Sequence, residues 1–336
     1  MSRQNNFYNA VQRMYDLRQM NNQHAYDLRK QEVYRCVPAL EELDKKQVSD
    51  SVRRIKASLT AHRSDSASLI DNSSETVSSD YNAQRKKLLT NAGFPEDYLE
   101  MQYQCPLCKD RGFIDNQKCK CFKAAYINLL YGNSPLRNAL EKENFNTFSY
   151  EYFSDEITDP LTGLTAYQSI KKAVETAKDY IERFHQPGSE TRNLLISGNI
   201  GVGKTFLTNC IAYELINAEV GVVYLSANEL LTILEDNKFR RDKDDFAFAH
   251  ERYTAIQVCD LLIIDDLGTE LTNNFAVTEL FELLNKRLLH HRSTIISTNQ
   301  TPQHIQETYS ERIFSRIASN YEYIRIFGED IRLKKL

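Results

Sequence analysis

The chain has 336 residues, 41% hydrophobic and 26% charged, with a net charge of −4. That length suits two domains, and that balance gives no global electrostatic reason to bind nucleic acid, so any such site must be a local patch. No run of 18 apolar residues offers a membrane span, and Met1-Ser2-Arg3-Gln4-Asn5-Asn6 lacks the apolar core of a secretion signal, so a cytoplasmic location is expected.

Residues 1–62 are rich in Gln, Arg, Glu and Leu, nearly free of glycine and broken by Pro38. They predict two helices, over 4–35 and 39–61, with Val48, Val52, Ile55 and Leu59 on one face at helical spacing. Serine-rich Ser64 to Asp80 predicts a flexible connector, and Tyr81–Asn91 a short helix closed by Gly93 and Pro95.

Next comes Cys105-Pro106-Leu107-Cys108 and, ten residues on, Cys119-Lys120-Cys121. Four thiolates at this spacing can surround one Zn²⁺ tetrahedrally, with Gly112 and Asp115-Asn116 supplying turns between the pairs. The bland alternative is four unrelated reduced thiols; their crowding into a short stretch favours the metal. No His or acid is placed to leave an open catalytic position, so a closed, structural site is expected. Cys36, Cys210 and Cys259 read as buried small hydrophobes.

From about residue 165 strand and helix patterns alternate, an α/β signature. Apolar Leu194-Leu195-Ile196 leads into Gly198-Asn199-Ile200-Gly201-Val202-Gly203-Lys204-Thr205, a full G-x-x-x-x-G-K-[ST] P-loop, and a helical stretch from Phe206 to Leu215 leads out. The glycines let successive N–H groups point at phosphate oxygens, Lys204 reaches the β/γ-phosphates of ATP, and the Thr205 hydroxyl ligates Mg²⁺. A second buried strand is expected over Val220–Leu225. Cys259 to Gly268 is an apolar run ending in Asp265-Asp266, as expected for a strand buried on both faces. Asp265 would hold Mg²⁺ through water and Asp266 would orient the attacking water, although Asp-Asp-Leu-Gly is also good turn chemistry. Thr294–Asn299 predicts a further strand that ends with Asn299 where a polar group can meet the γ-phosphate or the attacking water. Tyr321–Phe327 predicts a last strand, and the nine residues after it leave no room for a helical lid.

The P-loop, Asp265-Asp266-Leu267-Gly268, Ser297-Thr298-Asn299 and Glu311-Arg312-Ile313-Phe314-Ser315-Arg316-Ile317 together resemble the AAA+ ATPases of the bacterial helicase-loader group, DnaC and DnaI, over roughly residues 145–336. Phe145–Tyr150 resembles the segment ahead of that group's core, and the cysteine cluster resembles the knuckle of DnaI-type loaders; the first hundred residues match only by position and helical character. The resemblance implies an α/β fold: an AAA+ P-loop parallel sheet without a C-terminal lid, preceded by a helical N-terminal domain with a zinc knuckle. Residues 1–140 would be the partner-binding region, with the knuckle at about 100–125, and 141–336 the ATPase. Asn299 matches the first sensor; Arg312 or Arg316 matches the arginine finger, Arg316 fitting better; Arg332 matches a second sensor weakly. Asp266, shorter than a Glu, implies slow hydrolysis.

The segment between the second strand and Asp265 carries Lys238-Phe239-Arg240-Arg241 and then Phe246, Phe248 and Tyr253. In helicase loaders the matching segment helps touch single-stranded DNA, and Lys/Arg with aromatics suits phosphates and bases. However, Phe246, His250, Tyr253 and Gln257 also fall at helical spacing that suits a core. The leading expectation is an ATP-switched loader for a replicative DnaB-type helicase, acting on single-stranded DNA as a homo-oligomer when assembled, away from membranes. The alternative is an IstB-like AAA+ helper for transposition or phage DNA metabolism, although the knuckle is not expected there. A P-loop small-molecule kinase is disfavoured, because the extra length goes to helices and cysteines.

Overall fold

The computed structural model describes residues 3–61, 71–131, 134–184, 186, 192–240, 243–270 and 273–335. The chain forms two compact units, Arg13–Gly112 and a second made of Met1–Gln12 with Phe113–Leu336. The division therefore falls at Gly112, upstream of the expected residue 140.

The first unit holds most of α1 (Arg3–Cys36), then α2 (Pro38–Ala61) and α3 (Asp71–Asn91). Val33, Leu40, Leu89 and Leu99 form its small core. Tyr34 donates to Asp44 at 2.6 Å, which ties α1 to α2, and Tyr81 donates to Asp50 at 2.6 Å, which ties α3 to α2. The expected connector differs. Residues 62–70 lie outside the described residues, but from Asp71 the polar stretch is already helix. Once Leu89 and Tyr81 fix the C-terminal half, each further residue adds a backbone bond without paying for nucleation again. Gly93, at φ +83°, closes the helix, with Phe94 N–H donating to Leu89 O. Val48 and Val52 are exposed; the side chains of Ile55 and Leu59 lie outside the described set. Cys36 is exposed as well, against the expectation of burial, because it ends α1 at a junction rather than on a packed face.

The second unit opens with a hairpin, β1 (Phe113–Ile114) and β2 (Gln117–Lys118), turned by Asp115 and Asn116 at φ +47° and +63°. Then come α4 (Lys120–Tyr131), α5 (Ser134–Lys142), α6 (Ala166–Phe184), β3 (Asn193–Gly198), α7 (Lys204–Asn217) and β4 (Val222–Ser226). These are followed by α8 (Ala227–Phe239), α9 (Lys243–Val258), β5 (Leu261–Leu267), α10 (Asn274–Leu289), β6 (Ser293–Thr298), α11 (Pro302–Tyr309), α12 (Glu311–Asn320) and β7 (Tyr321–Ile326). A 3-10 turn at Ile331–Lys335 is the last described element.

Five of these strands make one parallel sheet in the order β4-β5-β6-β3-β7. Its residues alternate between two cores: Leu195, Leu262 and Ile264 enter one, while Leu194, Ile196, Leu261 and Ile263 enter the other. Burial on both faces is why these strands read as continuous apolar runs. β6 lies between β3 and β5, so the end of β6 stands between the P-loop and Asp265. At the β4 edge, α4 puts Ile127, Leu130 and Tyr131 into the first core. From the same helix, Asn128 donates to Val220 O at 3.0 Å and accepts from Val222 N–H at 2.9 Å. Among the described residues no helix is long and apolar enough to cross a membrane.

Candidate nucleotide-binding site

β3 runs directly into the loop 198–203, and α7 starts at Lys204. Gly201 and Gly203 sit at φ +78° and +96°, a left-handed region where a side chain would be strained, and a Cβ on Gly201 would strike the Asp330 carboxylate. Gly203 caps α7 with no side-chain bond to its first N–H groups, which leaves those donors for an anion. Lys204, 5% exposed, donates from Nζ to Gly198 O at 2.9 Å and Asn199 O at 2.8 Å. Burial holds its ammonium pKa below the ordinary range, while Asp266 and Asp265 pull it upward.

β5 delivers the two acids. Asp265 is buried and accepts from Ser297 Oγ, from Tyr224 OH at 3.0 Å and from Thr205 Oγ1 at 3.4 Å. The same Ser297 hydroxyl accepts from Asp266 N–H at 2.9 Å. The β5–β6 ladder is irregular between Ile264 and Leu267, and Asp266 adopts φ +55° there. This kink sends Asp266 out of the sheet while Asp265 stays in it. Partial burial, then the neighbouring Asp265 carboxylate, raise the Asp266 pKa above the usual carboxylate range.

A cleft of about 610 Å³ joins these groups. Ile200, Gly201, Gly203, Lys204 and Thr205 line it with Asp265, Asp266, Asn299 and Arg332. Gly198, Asn199 and Val202 do not: the first two turn their carbonyls to Lys204, and Val202 is wholly buried. Arg332 is carried by the 3-10 turn, whose Ile331 N–H donates to Gly201 O at 3.0 Å. Arg312 and Arg316 are exposed on α12 and do not reach the cleft of their own chain. The opposite wall is aromatic, with Phe148, Tyr152, Phe153 and Phe206; Phe148 meets Phe206 edge-on at 5.5 Å. A charged floor beside an apolar wall suits a nucleoside triphosphate, phosphates on one side and base on the other. Residues 186–336 match the family described as IstB-like ATP binding protein.

Over that segment the chain is similar to IstB-like ATP-binding proteins. Similarity extends beyond that segment. The phage-like element PBSX protein XkdC of Bacillus subtilis (strain 168) is 26% identical over 255 residues, spanning 70% of this chain and 87% of that protein. Replicative helicase loader DnaI of the same strain is 23% identical over 269 residues, 70% of this chain and 81% of that protein. Among solved structures, that of the DnaC helicase loader covers 56% of this chain and 98% of its own, with a TM-score of 0.44 and 17% identity.

In this segment a parallel sheet of order β4-β5-β6-β3-β7 carries the P-loop at the end of β3. Sequence reasoning missed Tyr224 and Ser297, which hold Asp265, and Phe153 and Phe206 in the wall. Ser297 had a readable signal, since it lies two residues before Asn299 in the same strand. Tyr224 had none, because its contact with Asp265 crosses from β4 to β5.

Ahead of the segment that matches IstB-like proteins, Cys105, Cys108, Cys119 and Cys121 are all buried, with sulfurs within 4.8 Å of one another. Gly112 N–H donates to Cys108 Sγ at 3.3 Å. The buried Asp110 carboxylate accepts from Cys105 N–H at 2.8 Å and Gln104 N–H at 2.9 Å, which fixes the backbone at Cys105. Four converging thiol groups braced by N–H donors fit Zn²⁺.

Proposed function

We propose that this protein is an ATP-switched loader that grips a replicative DnaB-type helicase and helps place it on single-stranded DNA at the start of replication. The observation that carries this reading is that similarity to DnaI spans 70% of the chain, well beyond the ATP-binding segment 186–336. A separate helical unit, Arg13–Gly112, with exposed Val48 and Val52, is available for a partner.

ATP with Mg²⁺, when bound, would supply a γ-phosphoryl group whose transfer to water, leaving ADP and phosphate, resets the switch. Lys204 would exchange its two loop carbonyls for phosphate, and the N–H groups of 201–205 would donate to the same phosphate oxygens. Thr205 and Asp265 would hold Mg²⁺, Asp266 would orient the attacking water, Asn299 would sense the γ-phosphate and Arg332 would assist from the C-terminal turn. Arg316, with Arg312 beside it, completes a neighbouring subunit's site, so hydrolysis is slow until subunits assemble. Single-stranded DNA would meet α8 and α9, where Phe239 and Phe246 are exposed and Phe246 stacks on His250 at 5.9 Å. Two basic groups there are already engaged, Lys238 with Glu279 at 3.0 Å and Arg240 with Asp236 at 2.7 Å, so stacking outweighs charge in this contact.

The experiment is co-purification of the whole chain with a hexameric DnaB-type helicase. Val48→Asp with Val52→Asp should weaken capture about tenfold or more, as expected of central interface residues, with ATP affinity unchanged. Capture that survives this double change, or fails in the wild type, would overturn the loader reading. A helper role in transposition or phage DNA metabolism is the second reading, favoured by the IstB-like family match and by similarity to XkdC; capture of a transposase and not of the helicase would establish it.

We further propose that the four cysteines hold one structural Zn²⁺. Metal binding at such a knuckle contributes about 10 kcal/mol or more of folding free energy. Elemental analysis should find about one zinc per chain in the wild type and almost none after Cys105→Ser with Cys108→Ser. Zinc-free protein in which the four thiols react independently would refute the assignment.

A further inference from the structure

Two buried groups next to the cleft take no part in the nucleotide reading, Glu270 and Tyr309. Glu270, 9% exposed, ends the turn that follows β5; Tyr309, 1% exposed, is the last residue of α11. The Tyr309 phenol donates to one Glu270 carboxylate oxygen, and Gly268 N–H donates to the other at 2.8 Å.

The turn they serve is the one that aims Asp266. Its left-handed residue is held on the β6 side by several bonds. Asp266 N–H donates to Ser297, Thr298 Oγ1 donates to Leu267 O at 2.6 Å, and Gln300 Nε2 donates to Gly268 O at 3.3 Å. Within the turn, Thr269 Oγ1 donates to Asp266 O at 2.8 Å. Glu270 makes a tie in a different direction, to the junction of α11 and α12. There Ser310 takes φ +90°, and the chain enters α12, which buries Ile313 and Ile317 and exposes Arg312 and Arg316. A buried carboxylate that accepts a phenol and an amide makes a strong, directional joint, and removing either partner leaves the other desolvated and unmet.

We infer that Glu270 and Tyr309 are positioning residues that lock the Asp266 turn to the α11–α12 junction. The aim of Asp266 in its own cleft and the presentation of Arg312 and Arg316 to a neighbouring subunit are then set together. The inference rests on the proposed nucleotide site and adds to it a joint between that site and the arginine helix. Nothing in the joint touches nucleotide, so affinity and turnover should separate.

The test uses the full chain with Tyr309→Phe, Glu270→Ala and Glu270→Gln, and Ile305→Val as a packing control, since Ile305 is buried in α11 beside the same core. Three quantities are measured: Mg-nucleotide affinity, turnover of the assembled protein, and amide exchange in residues 311–320 with and without a non-hydrolysable ATP analogue. Tyr309→Phe and Glu270→Ala should bind nucleotide within about twofold of wild type, while turnover falls about tenfold or more, the rate equivalent of one charge-assisted bond. In the wild type the analogue should slow exchange in α12; in these two variants it should not. Glu270→Gln keeps a carbonyl acceptor for Gly268 N–H and offers its amide N–H to the Tyr309 hydroxyl, which can accept as well as donate, so it should recover part of the turnover, and Ile305→Val should keep the nucleotide response. The inference is overturned if Tyr309→Phe turns over and responds like the wild type, or if Ile305→Val loses the response equally. If the wild type binds no nucleotide, the site reading itself fails, and the affinity measurement reports that separately.

Discussion

Lys204→Ala should lower ATP turnover by roughly 10²–10³, the usual loss when one preorganised charge-stabilising donor is removed, and should weaken nucleotide binding as well. Lys204 is almost fully buried, close enough to Asp265 and Asp266 for both to act on its pKa, and its ammonium is held on the carbonyls of Gly198 and Asn199. Alanine removes the cation that offsets phosphate charge and leaves two acids beside the loop. The fold should survive, because the freed carbonyls cost about 1–3 kcal/mol and the sheet does not depend on them. Asp265→Ala should act through the other half of the site by removing the Mg²⁺ anchor and the common acceptor of Ser297, Tyr224 and Thr205. Nucleotide titration and phosphate release on the folded variants provide the check. A well-folded Lys204→Ala protein with wild-type affinity and turnover would refute the assignment.

The second large effect should come from mixing variants. Arg312 and Arg316 lie four residues apart on one side of α12, exposed and outside their own cleft. Arg316 Nε donates to Asn285 at 3.3 Å, a neutral and solvent-facing partner, while Glu307 pairs with His304. The guanidinium is thus not committed to the nearby acids. An arginine delivered by a neighbour is worth about 10³–10⁵ in rate in other P-loop enzymes. Arg316→Ala and Lys204→Ala should each be nearly inactive alone. Mixed, they should regain part of the wild-type turnover at interfaces that pair an intact P-loop with an intact Arg316. A mixture as inactive as its components, under conditions where the wild type assembles, would rule out Arg316 as a finger in trans.

What the sequence made legible follows from what each element is for. β3, β5 and β6 could be read almost to the residue, because strands buried on both faces are uninterrupted apolar runs and the P-loop fixes its own backbone by glycine placement. α3 was read short because only its packed half carries apolar periodicity; the preceding turns are polar and are helical by propagation. Cys36 was misread because burial is a property of a neighbourhood that its own segment does not display. Within the cleft, Lys204, Thr205, Asp265, Asp266 and Asn299 could be found from motif and strand ends, and Arg332 only through the family resemblance. Tyr224, the aromatic wall and the Glu270–Tyr309 joint could not, because each is a contact between segments far apart in the chain.

The grip of Asn128 on the β4 edge has a practical side. The outermost strand of a sheet offers a row of unpaired peptide groups on which foreign strands can build. In this protein that row is met by a carboxamide from the helix that follows the cysteine cluster, with Ile127 and Leu130 pressed in beside it. Trimming the chain at residue 141 to isolate the nucleotide-binding segment would strip away this seal and leave a sticky margin. A well-behaved minimal nucleotide-binding fragment therefore has to begin upstream of α4, at the hairpin of Phe113–Lys118 or before it.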